Sequence, residues 1–457
     1  MARWQDVLAL VANNVEEQFD ILKDRLLGRL LCNRPLIIVP YRSYGREDKL
    51  YVRGRVLQNR GVTSARDNDS IWDNLLNMYR RLDSREVPHA TLRLRYQDAV
   101  QEVVADEEGF FECWLSIPDH PAPEMGEAAR SGIERGRPVD PARNGEEPPD
   151  RELEAEPQLE AATRGLWREV AVELLAPQCA DGSPVTATCN VLVPPPSARF
   201  GVISDIDDTV IHTDVGHFLK MARTVFLGNA RLRLPFEGVA AFYRALYEGM
   251  SEQEYNPLFY VSNSPWNMYD LFSDFFQMQD IPVGPVMILR DWGISRRQND
   301  MAPLHARAFK TQTVRNIIDF YPDLPFILIG DSGEKDPEVY EEIAEHAPGR
   351  ILAVYIRNVS RKPARVTAIR SLAEKVLAAG STLILADNTL PLTEHALEKG
   401  WISPHAPPRV QEAKAADEAP PSPLEKLLNQ PDNAPPTVVI GDETPPLAPG
   451  QATPNPD

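Results

Sequence analysis

The 457-residue sequence has no apolar run near the ~18 residues that a membrane-spanning helix needs. It is also poor in cysteine. Cys32, Cys113, Cys179 and Cys189 are far apart and lack metal-ligand spacing, which excludes a zinc ribbon or a disulfide-built scaffold and fits a reducing cytoplasm. Basic residues are scarce. Against 67 Asp and Glu stand 48 Lys and Arg, the net charge is −19, and no basic stripe is present, so nucleic acid is not an expected partner. The first residues lack the pattern of a signal peptide, because Asp6, Glu16 and Glu17 interrupt their apolar positions.

Much of the acidity lies in two stretches short of large apolar residues. Asp119–Ala161 has 12 acidic and 5 basic residues, and Ser403–Asp457 has 8 and 3. Both are Pro-rich and read as disordered, the first as an insert and the second as a tail. In residues 1–34, Trp4, Leu8, Val11, Val15, Phe19, Leu22, Leu26 and Leu30 recur at helical spacing. That amphipathic helix either packs on protein, its own or a second copy, or lies on a membrane surface; its mixed-charge polar face argues for protein. Nothing in the sequence sets an oligomeric state.

Residues 35–197 read as a β-domain of sandwich type, with the 119–161 insert inside it. Strand candidates are Pro35–Val39, Tyr51–Leu57, Thr91–Tyr96, Gln101–Val104, Phe110–Ile117, Leu166–Leu175 and Val185–Val193. Ile71–Leu82 reads as a short helix, and no catalytic spacing appears in this region. Residues 198–402 change pattern. Apolar runs at Phe200–Ile203, Leu258–Val261, Val286–Leu289, Phe326–Ile329, Ile351–Ile356 and Thr382–Leu385 alternate with helical stretches. That alternation predicts an α/β domain with a doubly wound parallel sheet.

Four of these runs or helices carry polar groups at their ends. Phe200–Ile203 leads into Asp205-Ile206-Asp207-Asp208-Thr209. Three carboxylates in four positions would repel one another and lose hydration unless a cation sits among them. Asp205 and Asp207 share one side of an extended backbone, so one can attack an electrophile while the other moves a proton. Standing alone, the stretch has a lesser alternative as an acidic helix cap at Asp208 or Thr209. Leu258–Val261 ends in Ser262-Asn263-Ser264, small donors suited to an anion. Lys310 is expected at the start of a helix over Phe309–Phe320, where a cation opposes the dipole unless it has an anion to neutralise. Phe326–Ile329 ends in Gly330-Asp331-Ser332-Gly333-Glu334-Lys335-Asp336. There Asp331 and Asp336 suit a hard cation, with Asp336 also expected as helix cap before Pro337.

In this order the four signals resemble the haloacid-dehalogenase-like (HAD-like) phosphatases. The strings SDIDDTVIHT, FYVSNSPWNMYD and FILIGDSGEKDPEVY are similar to the catalytic domain of the App1-type phosphatidate phosphatases. The resemblance implies a Mg²⁺-dependent phosphomonoester hydrolase acting through an aspartyl-phosphate, most simply on phosphatidate to give diacylglycerol. Soluble metabolites or phosphoproteins at the same site are the alternative. It makes Asp205 the nucleophile, Asp207 the general acid and base, and Lys310 the catalytic cation. Ser262, Asn263 and Thr209 bind or order the phosphate site, and Asp205, Asp207, Asp331 and Asp336 serve the metal. His212 and Arg357 are further candidates for substrate contact. The connections Val210–Arg233 and Asp291–Arg307 are too short for a large cap. An open site of that kind suits a phospholipid met by peripheral membrane contact from the cytoplasm. Phe218, Met221, Val225, Phe226 and Leu227 form either an apolar rim or core.

Overall fold

The computed structural model describes residues 35–58, 86–118, 166–179, 182–206, 237–289, 302–360 and 362–418. Several sequence expectations lie outside them: the 1–34 helix, the 71–82 helix, the 119–161 insert, Asp207 to Thr209, His212, the apolar rim and residues 419–457. No helix among the described residues is long and apolar enough to cross a membrane.

The N-terminal domain has eight strands: β1 (Leu36–Tyr41), β2 (Ser43–Arg46), β3 (Lys49–Gln58), β4 (Thr91–Tyr96), β5 (Ala99–Val104), β6 (Phe110–Ser116), β7 (Trp167–Ala176) and β8 (Thr186–Leu192). Hydrogen bonding links all eight strands. It runs β1-β3-β2-β8-β7-β4-β5, with β6 on the free side of β3. Alternation explains the interior. Val52 and Val56 of β3 turn inward with Leu92 and Leu94 of β4 and Val170 and Val172 of β7. Each such side chain contributes about 1.5–3 kcal/mol of apolar burial.

The opposite face of β3 is buried as well. Tyr51, Arg53, Arg55 and Leu57 lie under the second domain. Tyr44 stacks edge-on with Phe259 and Phe320, Tyr41 packs on Tyr269, and the Arg42 backbone N–H donates to Tyr269 Oη at 2.6 Å.

The second domain is a six-stranded sheet of β9 (Gly201–Asp205), β10 (Leu258–Pro265), β11 (Val286–Leu289), β12 (Phe326–Asp331), β13 (Ile351–Arg357) and β14 (Leu383–Ala386). The order is β11-β10-β9-β12-β13-β14 and every pairing is parallel. Successive residues feed opposite faces. Val202, Tyr260 and Ile329 pack with α1 (Val239–Glu248), α2 (Tyr269–Met278), α6 (Leu390–Glu398) and α7 (Ala406–Glu418). Ile203, Val261 and Leu328 pack with α3 (Ala302–Phe320), α4 (Asp336–His346) and α5 (Pro363–Ala378).

Two helix boundaries correct the sequence reading. α3 begins at Ala302, so Lys310 sits in its third turn and does not oppose the dipole at an N-terminus. Pro303 misleads, because proline is at home in a first helical turn. Ala406–Glu418 is helical, although the region from Ser403 reads as disordered tail. Ala406 and Val410 are buried against the α/β core, and Asp417 Oδ2 accepts the Gly238 N–H at 2.8 Å just ahead of α1.

Candidate active site

Strand register brings the polar ends together. Asp205 pairs with Val261, so Ser262 lies one residue further along β10. Ser204 pairs with Ile329, so Asp331 ends β12 at the same edge. β9 lies between β10 and β12, where the crossovers part to opposite sides, and the C-terminal ends of parallel strands there form a crevice. Lys310 reaches in from α3 and Asp336 from the first turn of α4.

Lys310 is 2% exposed and holds three acids. Its Nζ donates to Asp205 Oδ1 at 2.7 Å, Asp336 Oδ1 at 2.6 Å and Glu334 Oε2 at 3.1 Å. Burial opposes the ammonium, but the carboxylates outweigh it and raise its pKa well above the usual lysine value. Asp336 does not cap its helix. Its Oδ1 takes Lys310 and its Oδ2 accepts the Asp331 N–H at 3.2 Å. Gly330 makes that seat possible, since a Cβ there would stand 2.4 Å from Asp336 Oδ2 and 2.7 Å from its Cβ.

Asp331 is fully buried. Its Oδ1 accepts the N–H groups of Gly333 at 2.5 Å and Glu334 at 3.0 Å, while its Oδ2 has no hydrogen-bond partner. Burial, followed by the charge of Asp336, pushes its pKa up to about 7. Burial raises Asp336 too, against the pull of Lys310. Oxygens of Asp205, Asp331 and Asp336 lie within 4.8 Å of one another. Three buried carboxylates lie around one ammonium that bonds only Asp205 and Asp336 of them, and one oxygen of Asp331 is unpartnered; this donor set fits a hard divalent cation.

The loop after β12 is fastened from below. Arg365 of α5 donates to Ser332 O at 2.8 Å and to Glu334 O at 2.6 Å, and grips Glu338 at 2.5 and 2.9 Å. The Ser332 N–H donates to Arg357 O at 2.8 Å. On the other side, Ser262 Oγ accepts the Ser264 N–H at 2.9 Å, and Asn263 Nδ2 donates to Glu334 Oε2 at 3.2 Å.

Of the residues singled out in the sequence, Asp205, Ser262, Asn263, Lys310, Asp331 and Asp336 converge here. Asp207, Thr209 and His212 lie outside the described residues. Arg357 pairs with Asp331 in register and is buried, which lowers its pKa to about 9. Glu334 and Arg365 are the additions. Glu334 stands inside the quoted GDSGEKD string, but nothing in the string says that its carboxylate reaches back to Lys310 and Asn263.

Residues 200–358 match the family model described as phosphatidate phosphatase APP1, catalytic domain. The chain is 33% identical over 202 residues to phosphatidate phosphatase APP1 of Saccharomyces cerevisiae, covering 44% of this chain and 32% of the yeast protein. It is 34% identical over 159 residues to an uncharacterised protein of Schizosaccharomyces pombe, covering 35% of this chain and 25% of that protein. The match thus spans a third or less of each relative's length. Among solved structures, a carbohydrate acetylesterase from Xanthomonas citri aligns over 78% of this chain and 68% of its own, at 12% identity and a TM-score of 0.24.

Proposed function

We propose that this chain, whose residues 200–358 match the catalytic-domain model of the App1-type phosphatidate phosphatases, hydrolyses a phosphomonoester, with phosphatidate as the substrate and diacylglycerol as the product. The observation that carries the reading is the Lys310 ammonium, held between Asp205 and Asp336 beside the unpartnered oxygen of Asp331. The strand order, with Asp205 on the central β9, supports the HAD-like, doubly wound assignment.

In this reading a carboxylate oxygen of Asp205 attacks phosphorus in line. The bond from phosphorus to the ester oxygen breaks, and Asp207 protonates the departing oxygen. Water then attacks the aspartyl-phosphate, Asp207 takes its proton, and the bond between phosphorus and Asp205 breaks to release phosphate. Lys310, Ser262 and Asn263 donate to the phosphoryl oxygens as charge builds on them. Thr209 orders the loop that carries Asp207. Mg²⁺ would be held by Asp205, Asp331 and the backbone carbonyl of Asp207, with Asp336 in support. When bound, it supplies positive charge beside the phosphoryl group. The lipid is met by peripheral contact with a membrane surface.

The test is phosphate release from phosphatidate in mixed micelles, with Mg²⁺ or with EDTA, for the wild type and Asp205→Asn. Mg²⁺-dependent turnover that Asp205→Asn abolishes is the expected result. Asp205-dependent hydrolysis of soluble esters without turnover of phosphatidate would keep the chemistry and overturn the lipid assignment.

A further inference from the structure

Four acids surround the crevice, and one differs from the rest. Asp205, Asp331 and Asp336 are fully buried, whereas the Glu334 side chain is 35% exposed. One oxygen of that carboxylate, Oε2, accepts hydrogen bonds from Lys310 Nζ at 3.1 Å and Asn263 Nδ2 at 3.2 Å. These are two of the donors that the proposed reaction gives to the phosphoryl group. Glu334 therefore fills the place between them that a phosphoryl oxygen needs.

We infer that Glu334 is an internal stand-in for the phosphoryl oxygen, which an incoming phosphate must displace; the inference rests on the phosphatase reading above. A dianion and the Glu334 carboxylate cannot share one ammonium and one amide at close range without strong repulsion. The main chain of Glu334 is fixed, because its N–H donates to Asp331 Oδ1 and its carbonyl accepts from Arg365. The exchange is thus a rotation of one half-exposed side chain into water, a fast motion that leaves the metal-side carboxylates in place. In this arrangement Glu334 completes the three hydrogen bonds of the Lys310 ammonium and takes one from the Asn263 amide.

Displacement imposes a cost on every phosphate ligand. Inorganic phosphate has only its own oxygens with which to evict Glu334. A phosphomonoester with a large remote group gains binding energy elsewhere and spends part of it on the exchange. The cost is common to large and small esters and leaves the ratio between them unchanged; its effect is to weaken binding of the phosphate product and speed its release.

The experiment measures binding of inorganic phosphate to the Mg²⁺-loaded full chain by calorimetry, for the wild type, Glu334→Gln and Glu334→Ala. Both variants are expected to bind phosphate at least about tenfold more tightly, the size of effect that removing one nearby like charge produces. Product inhibition of turnover should tighten in parallel. Damage to the site would weaken binding, and the phosphate-bound structure separates displacement of Glu334 from the mere removal of a neighbouring charge. Phosphate that binds no better in either variant, or worse, overturns the inference. If neither variant folds, the wild type decides. A structure with phosphate bound is expected to show Glu334 Oε2 beyond hydrogen-bond distance of Lys310, and a retained contact overturns the inference. Should the wild type neither bind phosphate nor release it from any phosphomonoester, the phosphatase reading itself has failed. If it does both and the variants gain nothing, only the role of Glu334 has failed.

Discussion

The guanidinium of Arg55 lies over the indole of Trp266, with Cζ 4.0 Å from the ring centroid, and also over Phe110 at 4.3 Å. Arg55 belongs to β3 of the first domain, and Trp266 follows the Ser262–Ser264 segment of the second by two residues. Three residues further on, Tyr269 is held by Tyr41 and the Arg42 N–H. The β-domain thus grips the segment that carries the proposed phosphate donors at two points.

That grip predicts energetic coupling between domains. Arg55 is buried, with Nε on Glu108 O at 2.8 Å and Nη2 on Glu86 at 3.2 Å, so its charge faces the ring with little water between. A desolvated cation–π contact of this kind is worth up to about 2 kcal/mol. A double-mutant cycle of Arg55→Met and Trp266→Leu, read by urea unfolding, should return a coupling of about 1–2 kcal/mol. Each single variant should also lose kcat/KM, because Ser262 and Asn263 hang from the same segment. A coupling near zero with full activity would mean that the domains are merely adjacent.

A second prediction concerns pH and metal. The Asp331 carboxyl is pushed from its usual 3.8 up to about 7, by burial and then by Asp336. Between those values the folded chain holds a proton that the unfolded chain has released. This contribution to stability is therefore complete at low pH and is lost as pH rises through about 7. A divalent cation competes with that proton and takes its place. In EDTA, the fall in Tm from pH ~5 to pH ~8 should be steeper for the wild type than for Asp331→Asn. The rise in Tm on adding Mg²⁺ should be larger at pH ~8 than at pH ~5, and should largely vanish in Asp331→Asn. A Mg²⁺ response that ignores pH, or that survives the substitution intact, would remove Asp331 from the ligand set.

Much of this was legible in the sequence because it rests on local pattern. The strands Thr91–Tyr96 and Val286–Leu289 have the bounds that their apolar runs predict. Asp205, Ser262 and Asp331 stand where apolar runs end, and parallel register carries such ends to one edge. What stayed hidden depends on partners distant in the chain. The alternation of β3 makes Arg53 and Arg55 look solvent-facing, yet both are buried under the second domain. Arg365 reads as a surface residue near a helix start until Ser332 and Glu334 are seen resting on it. α7 escaped because Pro407, Pro408 and an acidic, alanine-rich composition look like tail, although the prolines occupy a first turn and Val410 reaches the core.

The third prediction isolates the seat of Asp336. Gly330 ends the apolar part of β12, and the Asp336 side chain lies directly against it. A methyl group there would meet Asp336 Oδ2 at 2.4 Å, closer than any real contact, with the Asp336 Cβ close behind at 2.7 Å. Neither side can yield freely. Gly330 is fixed in register against Ile356 of β13, directly after the last pairing of β12 with β9, and Asp336 is tied to Lys310 and the Asp331 N–H. Gly330→Ala should therefore cost about 1–3 kcal/mol by overpacking. It should also shift the Lys310 ammonium off Asp205, and a displacement near 1 Å at a reacting group can cost about a hundredfold in turnover. Stability comes from urea unfolding and turnover from phosphate release, with circular dichroism to show that the strand survives. Wild-type turnover in a fully stable Gly330→Ala protein would mean that Asp336 can leave its seat without disturbing Lys310, and that the acid plays no part in setting the position of the ammonium.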